Sequence, residues 1–256
     1  MAPKSVVVTG ANRGLGLEIV RQLCHDSAVS KIYALCRKSS DKLNELASNK
    51  ISIIPNIDVS SDDCVPILQT TFMTKDAQPI PIHTLIQNAG AYGPPESFPS
   101  STEMYASQTL DNITMDRMRF AFELNTLGPL RVTKALLPNL QADTGGKVII
   151  ISSLMGSIAD NDSGGHYGYR AAKSAVNQVG KSLSVDLCPR KIAVGLVHPG
   201  YVFTGFQGEG VEKQPGQHDV EPSAKGVLEA IESISMENTG SFLHGNYGEG
   251  VKPLAW

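Results

Sequence analysis

Short runs of aliphatic and β-branched residues alternate along this chain with longer stretches in which apolar residues recur at helical spacing. The apolar runs predict strands, because they are short and bounded by polar residues or glycine. The predicted strands are Ser5–Thr9, Lys31–Cys36, Ile51–Ile54, Thr84–Gln87, Lys147–Ser152, Ile192–Val197 and Ser241–Leu243. The predicted helices are Gly14–His25, Asp41–Ala47, Cys64–Thr74, Thr114–Leu137, Ala171–Leu187 and Ser223–Ile234.

Some of these strands are apolar at consecutive positions, as in Val148-Ile149-Ile150-Ile151. Such a pattern is typical of parallel strands whose sheet is covered on both faces. The repeated strand–helix alternation therefore predicts an α/β fold, a Rossmann-like doubly wound parallel sheet of about seven strands with helices on both faces. We find no repeat or linker and expect one domain over residues 1–256. Ligands of such sheets bind at the carboxyl ends of the strands.

Composition narrows the functional classes. The chain is 41% hydrophobic and 18% charged, as in ordinary globular proteins with a large core. Its net charge of −3 gives no general attraction to nucleic acid or anionic membranes. No apolar run approaches the roughly 20 residues of a membrane-spanning helix, and the first residues show no signal-peptide pattern. We therefore expect a cytoplasmic protein that binds neither nucleic acid nor membrane, and the scattered cysteines and histidines predict no metal site.

Two long polar segments interrupt the alternation, Gly90–Asn112 and Pro199–Pro222. Loops of this length are uncommon in compact domains and are often lids or binding loops. The second segment follows a predicted strand end, so we interpret it as a mobile substrate lid. A disordered surface loop is the alternative.

A glycine-rich turn follows the first predicted strand. Glycine tolerates positive φ and has no Cβ, so backbone amides at the start of the next helix can approach a pyrophosphate. Any tight strand-to-helix turn favours glycine, but the position after the first strand favours a dinucleotide site. The turn reads Thr9-Gly10-Ala11-Asn12-Arg13-Gly14-Leu15-Gly16.

The end of the second strand indicates which nicotinamide cofactor would bind. An acidic residue there would bind a ribose 2′-hydroxyl, whereas a 2′-phosphate needs cations. Arg37 and Lys38 follow Cys36 with no acid before Asp41, and Arg13 could contact the same phosphate. NADP(H) is therefore predicted over NAD(H), although Arg37 and Lys38 could also be ordinary solvated charges.

Two further strand ends fit the same cofactor. Asp58 could bond the adenine amino group while Val59 packs on the ring. Asn88-Ala89-Gly90 is small enough for the backbone to pass beneath a ribose. Each sequence is also common in ordinary turns.

Tyr169 and Lys173 form the candidate proton-transfer pair. They are four residues apart, and among the tyrosines only Tyr169 has a lysine at that spacing, which puts both side chains on one helix face. A phenol has a pKa of about 10, and a nearby ammonium is expected to lower it. An exposed surface pair is the alternative interpretation.

Ser152 and Ser153 end the strand that precedes this helix. A serine hydroxyl at that place could donate to a carbonyl oxygen as negative charge develops. Asn125 is an unusual polar residue within an otherwise apolar helical stretch. It could instead be a satisfied core residue at a bend, since Gly128-Pro129 follows closely.

Together these motifs, in this order, resemble the short-chain dehydrogenase/reductase family over essentially the whole chain. The stretch from Gly156 to Arg170 and the last four residues are similar to the Sniffer-type carbonyl reductases. The resemblance implies that Tyr169 is the general acid, Lys173 its activator and ribose ligand, Ser153 the carbonyl stabiliser and Asn125 the holder of a proton-relay water. It also implies nicotinamide contacts from Pro199, Gly200, Val202 and Thr204.

One departure concerns spacing. Ser153 and Tyr169 are 16 residues apart, more than is usual in that family, so Ser152 remains an alternative for the carbonyl-stabilising role.

The expected function is that of an NADPH-dependent carbonyl reductase acting on a ketone, aldehyde or quinone. The alternatives are an NAD(P)-dependent alcohol or steroid dehydrogenase working oxidatively, and a non-catalytic NADPH-binding regulator. A sugar-nucleotide epimerase is disfavoured because no second, substrate-binding domain is predicted. The expected partner is a small-molecule carbonyl substrate, and the family resemblance implies a homodimer or homotetramer.

Overall fold

The computed structural model of the protein describes residues 4–93, 101–141, 145–204, 213–245, 248 and 250–256. Within these ranges one sheet runs in the order β3-β2-β1-β4-β5-β6-β7-β8. All neighbouring strands pair parallel except β7 and β8, which are antiparallel. The strands are β1 (Lys4–Thr9), β2 (Val29–Leu35), β3 (Ile51–Ile54), β4 (Thr84–Gln87), β5 (Lys147–Ile151), β6 (Ala193–His198), β7 (Ser241–His244) and β8 (Lys252–Pro253). The predicted doubly wound fold is confirmed.

Helices connect the parallel strands. A π-helical turn at Glu123–Leu127 joins two consecutive helices, and 3₁₀ turns lie at Leu154–Gly156 and Cys188–Arg190. Over the ranges that the structure describes, no helix combines the length and apolar character needed to cross a bilayer. The helices are α1 (Gly14–His25), α2 (Asp41–Asn44), α3 (Cys64–Thr71), α4 (Ser101–Ala106), α5 (Met115–Phe122), α6 (Gly128–Ala135), α7 (Leu137–Leu140), α8 (Tyr167–Leu187) and α9 (Val220–Ser233).

Apolar side chains cover both faces of the sheet. Successive side chains of a strand point to opposite faces, so Val6 and Val8 pack with residues of α1 and α9, whereas Val7 packs with residues of α3, α6 and α8. The continuous apolar runs in the sequence follow from this two-sided burial.

Several predicted boundaries need correction. The prediction of about seven strands misses β8, because its two exposed residues carry no apolar pattern. The helix predicted at Ala171–Leu187 begins at Tyr167, so Tyr169 lies in its first turn. The predicted helices at Asp41–Ala47 and Cys64–Thr74 end earlier, at Asn44 and Thr71.

The helix predicted at Thr114–Leu137 is divided. The π-helical turn Glu123–Leu127 separates α5 from α6, and α7 follows as a short fourth piece. A single insertion into a helical ladder of this kind is frequent at functional sites. The bend expected near Gly128-Pro129 therefore takes the form of a π-turn that begins before them.

The two predicted loop segments fall partly outside the described residues, since 94–100 and 205–212 are not described. Within Gly90–Asn112 the structure adds α4, which the sequence pattern did not predict. Within Pro199–Pro222 it adds an isolated bridge between Val202 and His218. The lid interpretation stays a prediction.

Replacing Phe72 with alanine is expected to destabilise the fold. Phe72 is fully buried and packs edge-on against Tyr33 with ring centroids 4.9 Å apart. Truncation should cost about 3–5 kcal/mol, measured by urea unfolding. The adjacent Met73 is 41% exposed, so Met73→Ala should change stability by no more than about 0.5 kcal/mol. Equal losses in the two variants would contradict the assigned packing.

Candidate active site

The glycine turn leaves space for an anion at the start of α1. Gly10 and Gly14 have φ of +66° and +52°, a region that favours glycine. A Cβ on Gly16 would lie 2.3 Å from the carbonyl oxygen of Gly10. The N-cap residue Arg13 forms no side-chain capping bond to the helix. The turn thus forms a cradle of backbone amides that suits a pyrophosphate.

Asn88 and Thr9 hold this turn in place. The Thr9 hydroxyl accepts hydrogen bonds from the amides of Asn88 (3.0 Å) and Ala89 (3.1 Å). The Asn88 side chain donates to the carbonyl oxygens of Thr9 (3.0 Å) and Gly10 (3.2 Å). A Cβ on Gly10 would lie 2.9 Å from the Cα of Ala89. The Asn-Ala-Gly sequence therefore braces the glycine turn in addition to lining the space beside it.

The turn opens into a cleft of about 430 Å³ that runs along the carboxyl ends of the strands. Gly16 and Asn125 are the two predicted site residues that do not line it; both lie behind its wall. The predicted residues that line the cleft are Gly10, Asn12, Arg13, Gly14, Leu15, Arg37, Asp58, Val59, Asn88, Ala89, Gly90, Ser153, Tyr169, Lys173, Pro199, Gly200, Val202 and Thr204.

Arg13 and Arg37 lie exposed at one end of the cleft. Arg37 forms no ion pair with the acidic residues that the structure describes. Asp58 accepts hydrogen bonds through Oδ1 from the amide (3.0 Å) and hydroxyl (2.6 Å) of Ser60. Lys38 is exposed and does not line the cleft. This end therefore presents two guanidinium groups beside a fixed carboxylate.

The two serines after β5 face different partners. The Ser152 hydroxyl donates to Oδ1 of Asn177 in the interior. The Ser153 hydroxyl is hydrogen-bonded to Tyr169 and accepts from the amide of Met155 (3.1 Å), capping the turn Leu154–Gly156. Ser153 is thus the serine that the structure brings to Tyr169.

Burial dominates the chemistry of Tyr169. It raises the pKa of Tyr169 well above that of a free phenol, and the hydrogen bond with Ser153 opposes this rise. The sequence predicted that Lys173 would lower the pKa of Tyr169, but without a ligand this pKa is raised. The Lys173 ammonium donates to the carbonyl oxygen of Ile151 (2.8 Å) and lies 5.5 Å from the Tyr169 ring centroid. Without a ligand the phenol therefore stays protonated at neutral pH.

Lys173 is buried as well, and its pKa is lowered to about 8 by desolvation. The ammonium keeps one hydrogen bond to a backbone carbonyl, which does not offset the loss of water. Lys173 is therefore charged at neutral pH but close to its titration range.

Asn125 lies in the π-turn, and its side chain bonds backbone groups. Its amide nitrogen donates to the carbonyl oxygens of Ala91 (2.9 Å) and Ala121 (2.8 Å). Its Oδ1 accepts from the amide of Ala91 (3.3 Å). Asn125 thus fastens the segment after β4 to the π-turn, and the water-holding role implied by the family resemblance stays a prediction.

Sequence reasoning missed an aromatic surface at the other end of the cleft. We call Tyr92, Tyr105, His166, Tyr169 and Tyr201 the aromatic wall. The Tyr92 ring centroid lies 4.3 Å from that of Tyr169, and the His166 ring lies 5.6 Å from those of both Tyr92 and Tyr105. The hydroxyls of Tyr105 and Tyr201 are 3.3 Å apart. The motifs nearby gave a signal, since Tyr92 closely follows Asn88-Ala89-Gly90 and Tyr201 directly follows Pro199-Gly200.

Other cleft residues also went unpredicted. Phe120, Leu124 and Met155 contribute apolar surface. His198 ends β6, and burial lowers its pKa to about 3, with further lowering by His244 and Lys173. These four residues therefore add uncharged surface to the cleft at neutral pH.

The long spacing between Ser153 and Tyr169 is accommodated by a tight turn before α8. Gly164, Gly165 and His166 all have positive φ, of +62°, +60° and +49°. The turn lets the additional residues project outward, which accounts for exposed fractions as high as 78% at Ile158.

Comparison with known proteins identifies the family. The family model described as short chain dehydrogenase matches residues 4–215. The chain belongs to the short-chain dehydrogenase family. It is 33% identical over 243 residues to 1-hydroxy-2-glutathionyl-2-methyl-3-butene dehydrogenase of Rhodococcus sp. (strain AD45), covering 94% of this chain and 96% of that protein.

Two solved structures of the short-chain dehydrogenase fold are also similar. The NADPH-bound carbonyl reductase from chicken fatty liver has a TM-score of 0.83 and 27% identity, with 100% of both chains covered. Carbonyl reductase Sniffer of D. melanogaster has a TM-score of 0.83 and 29% identity, covering 99% of this chain and 100% of that one. The resemblance to the family found in the sequence is thus confirmed, including its Sniffer-type relatives.

The lowered pKa of Lys173 predicts a specific pH dependence of stability. An unfolded lysine titrates at about 10.4, whereas folded Lys173 titrates at about 8. Between these values the unfolded chain binds more protons, so the free energy of unfolding rises with pH, by on the order of 1 kcal/mol per pH unit.

Lys173→Met is expected to lack this rise. Denaturant unfolding of both proteins from pH 8 to about 9 tests it, where unfolded tyrosines are still mostly protonated. Lys181→Met, an exposed change on the same helix, should keep the wild-type rise. Parallel curves for wild type and Lys173→Met would contradict the assignment.

Proposed function

We propose that this short-chain dehydrogenase is an NADPH-dependent carbonyl reductase in which Tyr169 is the general acid. The observation that carries the proposal is the hydrogen-bonded pair of Ser153 and Tyr169, with Lys173 beside it, in one cleft with the glycine turn. Proton donor and carbonyl-polarising hydroxyl are thereby within reach of one substrate oxygen.

The residues present fit NADPH. The cradle of backbone amides formed by the turn, in which Gly10 and Gly14 have positive φ and line the cleft, suits the pyrophosphate. Arg37 and Arg13 suit the 2′-phosphate, since a guanidinium binds phosphate with two parallel hydrogen bonds. The similar chicken carbonyl reductase binds NADPH, which supports the same choice. Asp58 and Val59 would hold the adenine, and Pro199, Gly200, Val202 and Thr204 would contact the nicotinamide.

When bound, NADPH supplies the hydride for the carbonyl carbon. Tyr169 donates its phenolic proton to the carbonyl oxygen. Ser153 donates a hydrogen bond to the same oxygen as negative charge develops there. Lys173 places a positive charge beside the phenolate that Tyr169 leaves and would hold the nicotinamide ribose.

The raised pKa keeps Tyr169 protonated at neutral pH, which is the form that a general acid needs, but it also makes the proton harder to release. Once Tyr169 has given up its proton, Lys173 and the Ser153 hydroxyl stabilise the phenolate. Without that stabilisation the proton transfer would leave an uncompensated charge in the interior.

The aromatic wall indicates the type of substrate. Three of its rings, Tyr92, Tyr169 and Tyr201, line the cleft together with the apolar side chains of Phe120, Leu124 and Met155, and the Tyr92 ring packs on that of Tyr169. Charged groups would lose water there without compensation. The proposed substrate is therefore an uncharged ketone, aldehyde or quinone.

Oxidation of an alcohol is the second candidate. The same side chains serve both directions of the reaction, and the similar Rhodococcus protein is named as a dehydrogenase. A non-catalytic NADPH-binding regulator is disfavoured by the Ser153–Tyr169 hydrogen bond, which coenzyme binding alone does not require. The cytoplasmic location, the single domain and the homodimer or homotetramer remain predictions.

Tyr169→Phe is expected to lower turnover by about 10²- to 10⁴-fold, because the proton donor is removed. NADPH consumption would be followed with quinones, diketones, aldehydes and ketosteroids, and NADPH affinity measured by calorimetry should stay close to wild type. Tyr167→Phe is the control, since Tyr167 lies in the same helical turn but does not line the cleft. Turnover retained in Tyr169→Phe would remove Tyr169 from the acid role.

Arg37→Ala should reduce the preference for NADPH over NADH. Loss of a charge-assisted contact to the 2′-phosphate is expected to raise the KM for NADPH by about 10- to 100-fold, with little effect on NADH. Lys38→Ala is the matched control, because Lys38 is exposed and outside the cleft lining. Equal changes for both coenzymes would show that Arg37 does not read the 2′-phosphate.

A further inference from the structure

Arg131 joins three parts of the structure through one guanidinium group. Its Nη1 donates to the carbonyl oxygen of Val59 (2.7 Å). Its Nε donates to the carboxylate of Asp62 and its Nη2 to that of Glu123. The Arg131 side chain is only 11% exposed, so the guanidinium itself lies largely out of water.

The two sides of this contact belong to different regions of the site. Val59 lies in the cleft wall, in the loop that also carries Asp58. Glu123 opens the π-turn that carries Asn125. Arg131 and Glu123 are both outside the cleft lining. Arg131 does not line the cleft itself, but it joins the loop that carries Val59 to the π-turn that carries Asn125.

Gly128 supplies an independent observation on the same contact. A Cβ there would lie 3.1 Å from Cγ2 of Val59 and 3.2 Å from its carbonyl oxygen. The loop bearing Val59 thus lies directly against the junction of the π-turn and α6. On the other side of the π-turn, the Thr126 hydroxyl donates to the carbonyl oxygen of Ala172 (2.8 Å), next to Lys173.

The three hydrogen bonds of Arg131 are expected to contribute unequally to the stability of this contact. Asp62 is 89% exposed in its side chain, and ion pairs of that kind contribute little. Glu123 is 39% exposed, and the bond to Val59 joins a nearly buried guanidinium to a buried residue. A planar guanidinium can serve all three acceptors at once, which a lysine ammonium on a flexible stem does less well.

We propose that Arg131 is a positioning residue that holds the loop Asp58–Asp62 in place for the adenine end of the coenzyme and, through Glu123, fixes the π-turn that carries Asn125. The inference rests on the proposed function in that it takes this loop to receive adenine. It assigns to Arg131 and Glu123 an effect on coenzyme binding and turnover that neither exerts by contact.

Arg131 bonds both Val59 and Glu123. A change at Glu123 should therefore loosen the guanidinium that holds the adenine loop and weaken binding there, and a change at Arg131 should release the π-turn that carries Asn125 and lower turnover. Both effects must pass through the same guanidinium, so they should not add.

The test is a double-mutant cycle read by calorimetric binding of adenosine 2′,5′-bisphosphate, a probe without nicotinamide, and of NADPH. Arg131→Met and Glu123→Gln should each raise the Kd of the probe by about fivefold or more, a typical size for coupled sites. The double variant should bind like Arg131→Met alone. With saturating NADPH, Arg131→Met should also lower kcat for carbonyl reduction, and Arg131→Lys should restore part of both effects.

Arg119→Met is the matched control. Arg119 also forms a helical ion pair, with Asp116 (2.7 Å), but its side chain is 75% exposed. The Arg119→Met variant should have the Kd for the probe and the kcat of the wild type. Circular dichroism checks folding, and Arg131→Lys and Glu123→Gln retain the test if Arg131→Met does not fold.

Other results would overturn the proposal. A folded Arg131→Met or Arg131→Lys with wild-type Kd and kcat would show that the guanidinium is only a local contact. Additive effects in the double variant would show that Glu123 does not act through Arg131. If the wild type binds NADPH but not the probe, the variants are compared with the wild type by their Kd for NADPH, with the same criteria. A wild-type chain that bound neither would overturn the proposed function and this inference together.

Discussion

Backbone pairing among β1, β4, β5 and β6 determines where the candidate site residues lie. Because these strands run parallel and in register, their carboxyl ends form one edge of the sheet. The glycine turn follows β1, Asn88 follows β4, the serine pair follows β5 and Pro199-Gly200 follows β6. Both faces of the sheet are apolar, so this edge is where polar groups from distant parts of the sequence meet.

Much of this could be predicted from sequence because the pattern that places the residues is local. Strands such as Val148–Ile151 show continuous apolar character, and the glycine turn, Asn88 and the serine pair directly follow strand ends, whereas Asn125, Tyr169 and Lys173 lie on helical segments. The glycine turn was recognisable for a similar reason, since positive φ at Gly10 and Gly14 is a property that only glycine adopts without cost. The resemblance to short-chain dehydrogenases added the roles, which spacing alone left open.

What could not be predicted depends on contacts between distant segments. The π-turn forms around Asn125, whose partners at Ala91 lie 34 residues earlier. The aromatic wall joins Tyr92, His166 and Tyr201 from three separate loops. The pKa of Tyr169 follows the same rule: spacing identified the neighbouring ammonium, but burial, which only the folded chain creates, has the larger effect. Ser152 and Ser153 could be told apart only once their hydroxyls had partners.

The contact between Gly14 and Thr204 has a consequence for how a bound coenzyme would leave the cleft. A Cβ on Gly14 would lie 3.0 Å from both Cβ and the carbonyl oxygen of Thr204, so the turn after β1 and the segment after β6 touch across the cleft. A coenzyme bound beneath this contact, as proposed above, would leave only if the segment around Thr204 moved away from the turn.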